Sequence, residues 1–211
     1  MNSEREPKVP PLHVWRDGVT LWNEWARASL LERRTVLIDG PLDDELANRA
    51  ASELMLLDAD GDDPVAVRID SDGGSLTAAL TLIDVVDLLG VPVHATCVGR
   101  AIGPAFAVLA VAAHRTAAPH ALLRLGDETP GREGRASDVL AFAEQYADQL
   151  AQLARRLAAA SAVDEDTVAE MLRSRTRLSV DDARRLGFID EIATPEARVL
   201  RFPRRVGYRP Q

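Results

Sequence analysis

A predicted strand-to-helix junction at residues 97–109, CVGRAIGPAFAVL, has the composition of a hydrolase turn that presents a nucleophile. Small residues crowd the place where the strand should end, and Pro104 suits the first position of the following helix, where its missing N–H costs nothing. No serine or threonine occurs between Cys97 and His114. The junction therefore predicts the backbone of an active site without a hydroxyl to attack a substrate.

A second chemically suggestive stretch is DSDGGSLTAAL at residues 70–80. Two glycines between a predicted strand and helix let backbone N–H groups converge on an anion or on a developing oxyanion. The plainer interpretation is a tight turn that needs positive φ at glycine. Both interpretations stay open, but the sequence contains neither a G-x-x-x-x-G-K-[ST] phosphate loop nor a G-x-G-x-x-G fingerprint.

Cys97, the single cysteine, could act as a thiolate if a histidine lay beside it. His94 precedes it by three residues on the same predicted strand, so the two side chains should point to opposite faces. We therefore predict a buried, unreactive thiol. The four histidines show no metal-ligand spacing, and we expect neither a metal nor a cofactor. They are His13, His94, His114 and His120.

Two hydrophobic periods alternate along the chain and predict an α/β fold. Period-two patterns predict strands at 35–40, 65–70, 93–98, 121–125 and 188–192. Helical spacing predicts helices at 44–57, 76–89, 104–113 and 164–172, a helix of about 24 residues from an N-cap at Ser137, and a short helix from the SVDD capping box to Gly187. Such alternation indicates right-handed crossovers and a largely parallel sheet covered on both faces.

The composition of the chain argues against nucleic-acid and membrane partners. With 33 acidic and 25 basic residues and a sequence pI near 5.1, the chain lacks the concentrated positive charge that nucleic acid requires. No run approaches the roughly 20 apolar residues of a membrane span, and the start MNSEREPKVPP lacks the apolar core of a signal peptide. We therefore expect a cytoplasmic protein with no nucleic-acid or membrane partner.

Five stretches of the chain, taken in order, carry a resemblance to a known family. They are LLERRTVLIDGPLDDELAN at 30–48, AVRIDSDGGSLTAALTLIDVV at 66–86, TCVGRA at 96–101, GRASD at 134–138 and LSVDDARRLGFIDEI at 178–192. Together they resemble the proteolytic subunit of the Clp protease, peptidase family S14. The resemblance implies a crotonase-like α/β fold with a protruding handle helix. It also implies two stacked heptameric rings that receive unfolded chains from a ring-shaped ATPase.

The resemblance divides the chain into a Clp-protease-like domain at 30–193, with the handle region at about 127–160, and two flanking segments. Residues 194–211 form a basic tail, and residues 1–29 form a divergent segment that contains Trp15, Trp22 and Trp25. Tryptophans this close together are candidates for a hydrophobic contact with a partner. The alternative is that they seal the base of their own domain.

The family's chemistry is a Ser-His-Asp triad, and each member falls here on a residue that cannot perform it. The serine position falls on Gly103, or on Ile102 if the gap is placed one residue differently. The histidine falls on Gly126 and the aspartate on Arg175. The resemblance therefore implies a degenerate active site.

The oxyanion hole is only partly retained. In the pair Gly73–Gly74, Gly74 matches a family donor. The second donor becomes Pro104, which has no N–H, or Gly103 with the alternative gap. With Pro104 in that place the backbone could still bind a peptide but would lack the second oxyanion donor, whereas with the alternative gap Gly103 would supply it.

Our first hypothesis is accordingly a catalytically inactive subunit, structural or regulatory, that joins a Clp-type ring with itself or with active paralogues, and a Clp ATPase is a further candidate partner. Two alternatives stay open. One is an active Clp-type serine endopeptidase that uses Ser71 or Ser75. The other is acyl-CoA binding or conversion by backbone N–H groups of Gly74 and Gly103, as crotonase-like enzymes do.

Overall fold

Strands and helices alternate in a computed structural model, which describes residues 19–126, 131 and 133–194. The helices are α1 (Val19–Leu31), α2 (Asp44–Ala59), α3 (Leu76–Leu88), α4 (Pro104–Val111), α5 (Ala136–Ala160), α6 (Glu165–Arg173) and α7 (Val180–Arg185). The strands are β1 (Thr35–Asp39), β2 (Val65–Ser71), β3 (Val93–Ile102), β4 (His114–Ala117), β5 (Leu122–Arg124), β6 (Arg177–Leu178) and β7 (Glu191–Ile192). The predicted α/β class is confirmed.

The sheet is mainly parallel and has the order β1-β2-β3-β4-β7. β5 pairs in parallel with the end of β3, and β6 pairs antiparallel with β5. The long strand β3 therefore has β4 beside its first half and β5 beside its last residues. This branching brings the chain after β5 next to the point where β3 ends.

One face of the sheet packs on the helices, and the other face is exposed as far as the described residues go. Alternate residues of β2 are buried, whereas Arg68 between them is exposed. His94 and Val98 of β3 are exposed on the same open face. The described residues therefore do not cover the second face that we expected to be covered, because Arg68, His94 and Val98 are exposed there.

Helix starts follow the capping chemistry in the sequence. The Asp43 carboxylate accepts a hydrogen bond from the Leu46 N–H at 2.8 Å at the start of α2. Ser75 does the same for Ala78 at 3.2 Å at the start of α3. The predicted capping box before α7 is present, since the Ser179 hydroxyl accepts from the Asp182 N–H at 3.0 Å.

The predicted handle is α5, a helix of 25 residues. Its buried residues, Leu153, Ala154 and Leu157, all lie in its last third, while Leu140 near its start is 61% exposed. Ser137 is not its N-cap as predicted. The cap is Arg135 without a side-chain bond, and the Ser137 hydroxyl instead contacts the Asp138 carboxylate.

Four further elements differ from the sequence prediction. The strands β4 and β6 and the helix α1 were not expected, because β4 (HRTA) and β6 (RL) are too short and polar to show a hydrophobic period. The last predicted strand, 188–192, is reduced to β7, although Phe188 and Ile189 are buried. Among the described residues, no helix is long and apolar enough to cross a membrane.

Candidate functional site

The elbow, defined here as Ile102–Gly103–Pro104, is the sharp turn between β3 and α4. Gly103 has φ 55° and ψ −123°, a conformation that side-chain-bearing residues rarely adopt. Its N–H donates to the Arg124 carbonyl at 2.9 Å, and Pro104 opens the helix as predicted. A Cβ at position 103 would lie 3.1 Å from the Gly126 carbonyl oxygen. Any side chain at the elbow would therefore start out directly beside Gly126.

Gly126 lies opposite Arg175, beyond the paired ends of β5 and β6. The Leu125 N–H donates to the Thr176 carbonyl at 2.9 Å, which extends the antiparallel ladder by one position. A Cβ on Gly126 would lie 3.0 Å from the Arg175 Cγ and 3.1 Å from its Cα. The structure thus brings together Gly103, Gly126 and Arg175, which come from three separate parts of the chain.

Arg175 fills the space over Gly126 with its aliphatic stem. The residue is exposed and has φ 52°, in the turn between α6 and β6. Its N–H donates to the Leu172 carbonyl at 3.3 Å. Its guanidinium forms no ion pair with any residue that the structure describes. A permanently charged group with five donors and no acceptor therefore stands beside the elbow.

The glycine turn, Gly73–Gly74, lies against the elbow. Gly73 has φ 101°, and a Cβ there would lie 2.9 Å from the Ile102 carbonyl oxygen and 3.5 Å from the Pro104 Cδ. Gly74 has φ 147°, and a Cβ there would collide with the Leu42 carbonyl oxygen. The tight-turn interpretation is therefore correct, because close backbone approach excludes side chains from both positions.

The same turn leaves one N–H group unused. The Leu42 N–H donates to the Gly73 carbonyl at 2.7 Å, and the Ser75 N–H donates to the Leu42 carbonyl at 2.8 Å. The Gly74 N–H between them donates to no group in the described part of the chain. The anion-binding interpretation is thus compatible with the tight turn, but it rests on a single donor.

A clamp of Asp70, Asp72 and Arg100 fixes the glycine turn to β3. One Asp70 carboxylate oxygen accepts from both the backbone N–H and the Nε of Arg100, each at 3.0 Å, and a guanidinium nitrogen contacts Asp72 at 2.5 Å. These carboxylates, Asp70 above all, raise the pKa of Arg100. A Cβ on Gly99 would lie 2.6 Å from the Asp70 oxygen, so only glycine allows this approach.

Sequence reasoning missed this clamp because its members lie on different strands and share no local pattern. The β2–β3 register shifts between Ile69 and Ser71, at the place where Asp70 turns toward β3. Only strand pairing could have indicated the contact.

Cys97 is fully buried, as predicted. Burial raises the pKa of its thiol to about 11, so the thiol stays protonated near neutral pH. His94 is exposed on the opposite face of β3, which confirms that the two residues form no dyad. Cys97 therefore offers no thiolate to a substrate at the elbow.

The paired histidines lie far from the elbow. The His94 and His114 rings meet edge to face with centroids 5.5 Å apart at the amino ends of β3 and β4. Nine residues of β3 correspond to roughly 30 Å between His94 and Gly103. No group of three or more potential metal ligands occurs among the residues that the structure describes.

The two serines near the glycine turn are engaged. The Ser71 hydroxyl is fully buried and accepts from the Gly73 N–H at 3.2 Å. The Ser75 hydroxyl caps α3.

Most of the predicted tryptophan cluster lies outside the described residues. Trp25 is partly buried on α1. Trp15 and the side chain of Trp22 lie outside the described residues, as does the basic tail from 195. The proposed role of this segment in partner contact therefore stays a prediction.

Comparison with known proteins shows to which family the chain belongs. The family model described as Clp protease matches residues 22–196. The chain belongs to the Clp protease family. ATP-dependent Clp protease proteolytic subunit 1 of Salinibacter ruber is 28% identical to it over 166 residues, which are 77% of this chain and 71% of that protein. The resemblance inferred from five short stretches is confirmed.

Proposed function

We propose that this Clp-family chain is a catalytically inactive subunit that serves as a structural or regulatory component of a Clp-type ring. The observation that carries the proposal is which residues occupy the elbow and the positions beside it. Gly103 occupies the turn, Gly126 adjoins it, and Arg175 covers Gly126. None of the three can supply a nucleophile, a general base or the carboxylate that orients one.

The expected loss of activity is large. Removing a catalytic triad lowers turnover by about a millionfold in a subtilisin-type enzyme. The oxyanion donors are also depleted, because Pro104 has no N–H and the Gly103 N–H already donates to Arg124. The Gly74 N–H alone could still polarise a carbonyl, and one donor without a nucleophile does not make a peptidase.

The exposed start of the handle helix α5 supports the part of the proposal that concerns assembly into a ring. The first half of α5 buries no residue within the described chain, and its ring pair Phe142 and Tyr146 is only partly buried. An amphipathic helix that projects from its domain needs another surface. We place that surface on other Clp proteolytic subunits, in a homo- or hetero-oligomer of the cytoplasm to which a Clp ATPase could dock.

Activity is tested with the purified chain. We expect no hydrolysis of fluorogenic peptides or of unfolded casein, and no labelling by a fluorophosphonate probe. An active Clp proteolytic subunit in the same assay is the positive control. Hydrolysis that copurifies with the chain and is lost on Ser71→Ala or Ser75→Ala would replace the proposal with an active serine peptidase.

Assembly is tested by tagged co-purification from the native host and native mass spectrometry of the intact particle. An active Clp subunit in the same ring-sized particle is the expected result. A chain that arrives alone, or only with itself, would remove the mixed ring from the proposal and leave the tryptophan segment as the place to search for another partner.

The two alternatives gain no support from the geometry. Ser71 is buried, Ser75 caps a helix, and the described histidines are not among the contacts of either serine. An acyl-CoA site would need both the Gly74 and the Gly103 N–H groups, but the latter is occupied. A thermal shift with saturating acyl-CoA would be needed to reopen that possibility.

A further inference from the structure

The handle helix α5 carries an exposed row of residues on the part that projects from the domain. Leu140, Glu144 and Asp148 follow one another at intervals of four residues, so they form one ridge on the helix surface. All three are exposed, and Leu140 is 61% exposed although it is apolar. The residues that α5 buries lie farther along the helix, in its last third. The handle ridge, defined as these three residues, therefore faces away from the described part of its own domain.

The two carboxylates of the handle ridge have no compensating charge nearby. Glu144 and Asp148 lie one turn apart, an arrangement in which like charges destabilise a helix. No arginine, lysine or histidine occurs between Arg135 and Arg155. Neither carboxylate forms an ion pair with any residue in the described part of the chain. The ridge is thus acidic, and the helix around it does not neutralise it.

Exposed carboxylates on two other helices are, by contrast, paired with an arginine one turn away. Glu170 of α6 contacts Arg173 at 2.8 Å, and Asp182 of α7 contacts Arg185 at 2.6 Å. The handle ridge combines uncompensated acidic groups with an exposed leucine. Charged groups at protein interfaces face groups of the opposite sign, and apolar side chains beside them become buried. This composition therefore fits a partner surface that is basic and partly apolar.

A second copy of this chain does not supply the missing positive charge. A two-fold contact between identical helices is isologous, so each handle ridge would meet the same acidic ridge. The carboxylates of both copies would then lie along one seam, and like charges in opposed positions destabilise such a contact. Burial of Leu140 against a second copy is therefore opposed by the charges beside it.

We propose that the handle ridge docks a helix of a different Clp-family subunit, one that presents lysine or arginine opposite Glu144 and Asp148 and an apolar side chain opposite Leu140. Two helices that pack ridge into groove along rows of this spacing bring such side chains together. The inference rests on the proposed function, because that function supplies other Clp subunits as neighbours. It adds which of them the handle accepts, namely a subunit with a basic helix and not a second copy of this chain.

A charge-reversed copy of the chain serves as the basic partner in the test. Glu144→Lys with Asp148→Lys keeps Leu140 and replaces only exposed side chains. Sedimentation velocity is measured for the full-length parent, for this double variant and for an equimolar mixture, at about 50 mM and about 500 mM NaCl. At the lower salt concentration we expect the mixture to associate about tenfold more tightly than either protein alone. The advantage should shrink at the higher salt concentration, where exposed charges are screened.

Asp60→Lys with Asp62→Lys is the matched control, because it makes the same change in net charge at exposed positions outside the handle. A mixture of this control with the parent should associate no more tightly than the parent alone. If it gains as much as the mixture with the charge-reversed handle, net charge and not the handle ridge decides, and the inference is overturned. A charge-reversed handle that gains nothing overturns it as well.

Leu140→Ser tests the apolar contact and the possibility of a self-contact. Placed in both members of the mixture, it should weaken their association about fivefold, because it removes the apolar side chain at the centre of the contact. A parent chain that associates with itself as tightly as the mixture does, and that loses this association with Leu140→Ser, has a second copy as its occupant. That result would contradict the inference.

Co-purification from the native host separates this inference from the proposed function. An active Clp subunit that arrives with the parent should be lost with the charge-reversed handle and kept with the Asp60→Lys, Asp62→Lys control. If the subunit arrives with both variants, only the inference about the handle ridge fails. If no other Clp subunit arrives with the parent, the mixed ring of the proposed function fails, whereas the mixing experiment still decides which charge the ridge accepts.

Discussion

The glycine turn and the elbow touch each other, yet they differ in how side chains support them. The glycine turn makes close contacts through both its backbone and nearby side chains. Its backbone packs on Leu42, and Asp70, Asp72 and Arg100 fix it to β3. In the elbow, the strained backbone of Gly103 is present, but the surrounding side chains are absent or basic. Side-chain contacts therefore support the glycine turn, whereas the elbow is defined mainly by its backbone.

The difference has a physical cause. The glycine turn connects β2 to α3 through contacts that any larger residue would break, so the fold depends on it. At the elbow, a Cβ on Gly103 would lie 3.1 Å from the Gly126 carbonyl oxygen, which is a close approach but not a collision. A side chain at position 103 should therefore disturb the packing less than one at Gly74.

The largest expected effect belongs to the glycine turn. Gly74→Ala should lower the free energy of unfolding by about 3 kcal/mol or more, because the new Cβ collides with the Leu42 carbonyl oxygen. Urea unfolding followed by circular dichroism measures the change. Gly134→Ala, at a glycine with open space around it, should stay within about 0.5 kcal/mol of the parent chain. Equal losses in the two variants would remove the distinction between the two regions.

Local sequence patterns predicted several features of these two regions. The glycine pair, the Pro104 helix start and the buried thiol were predicted from spacing. The structure brings Gly103, Gly126 and Arg175 together, and their match to the family's triad, which comes from the resemblance, stays a prediction. Contacts between distant segments could not be predicted from local patterns. The Arg100–Asp70 clamp needs the β2–β3 register, and the opposed Arg124 and Arg177 need the β5–β6 register.

The open face of the sheet escaped prediction for a related reason. The alternation of buried and exposed residues in β2 and β3 is visible in the sequence. The rule that parallel sheets are covered on both faces outweighed it. The alternation itself was the better guide, since Arg68 and His94 lie on the exposed face.

Rebuilding the triad is the next largest test, and it asks whether the elbow backbone is still competent. The variant carries Gly103→Ser, Gly126→His and Arg175→Asp. We expect its kcat on a fluorogenic peptide to stay about 10²–10³-fold below that of an active Clp subunit, because Pro104 supplies no oxyanion N–H. Adding Pro104→Ala should recover most of that factor.

The single variant Gly103→Ser is the control and should remain inactive, because it has no base. Full activity of the triple variant without the change at Pro104 would mean that the oxyanion site needs no donor there, and that the two regions differ by three side chains alone.

The pH dependence of stability tests whether the Cys97 thiol, on the strand that leads to the elbow, is buried. The Cys97 thiol has its pKa raised to about 11 by burial, whereas an exposed thiol in the unfolded chain ionises near 9. The unfolded chain therefore loses this proton first, and stability present below pH 9 should fall by roughly 2 kcal/mol as pH rises to 11. The pH dependence of urea unfolding measures it.

Cys97→Ala is the comparison for that measurement. It should cost some stability at every pH because it leaves a small cavity, but the fall between pH 9 and 11 should become shallower. If Cys97→Ala loses stability between pH 9 and 11 as steeply as the parent chain, other groups cause the alkaline loss of stability. The thiol would then be less deeply buried in solution than in the structure.

The smallest effect concerns the clamp itself, because its charges are partly exposed. Asp70→Asn weakens both contacts to Arg100, whereas Asp72→Asn leaves the Asp70 contacts in place. We expect global stability to change little in either variant, since exposed ion pairs contribute weakly. Amide hydrogen exchange at Ser75, whose N–H donates to the Leu42 carbonyl in the glycine turn, should accelerate clearly in Asp70→Asn and hardly in Asp72→Asn. If both variants exchange like the parent chain, the turn is held by its backbone contacts alone, and the clamp does not contribute to the difference between the two regions.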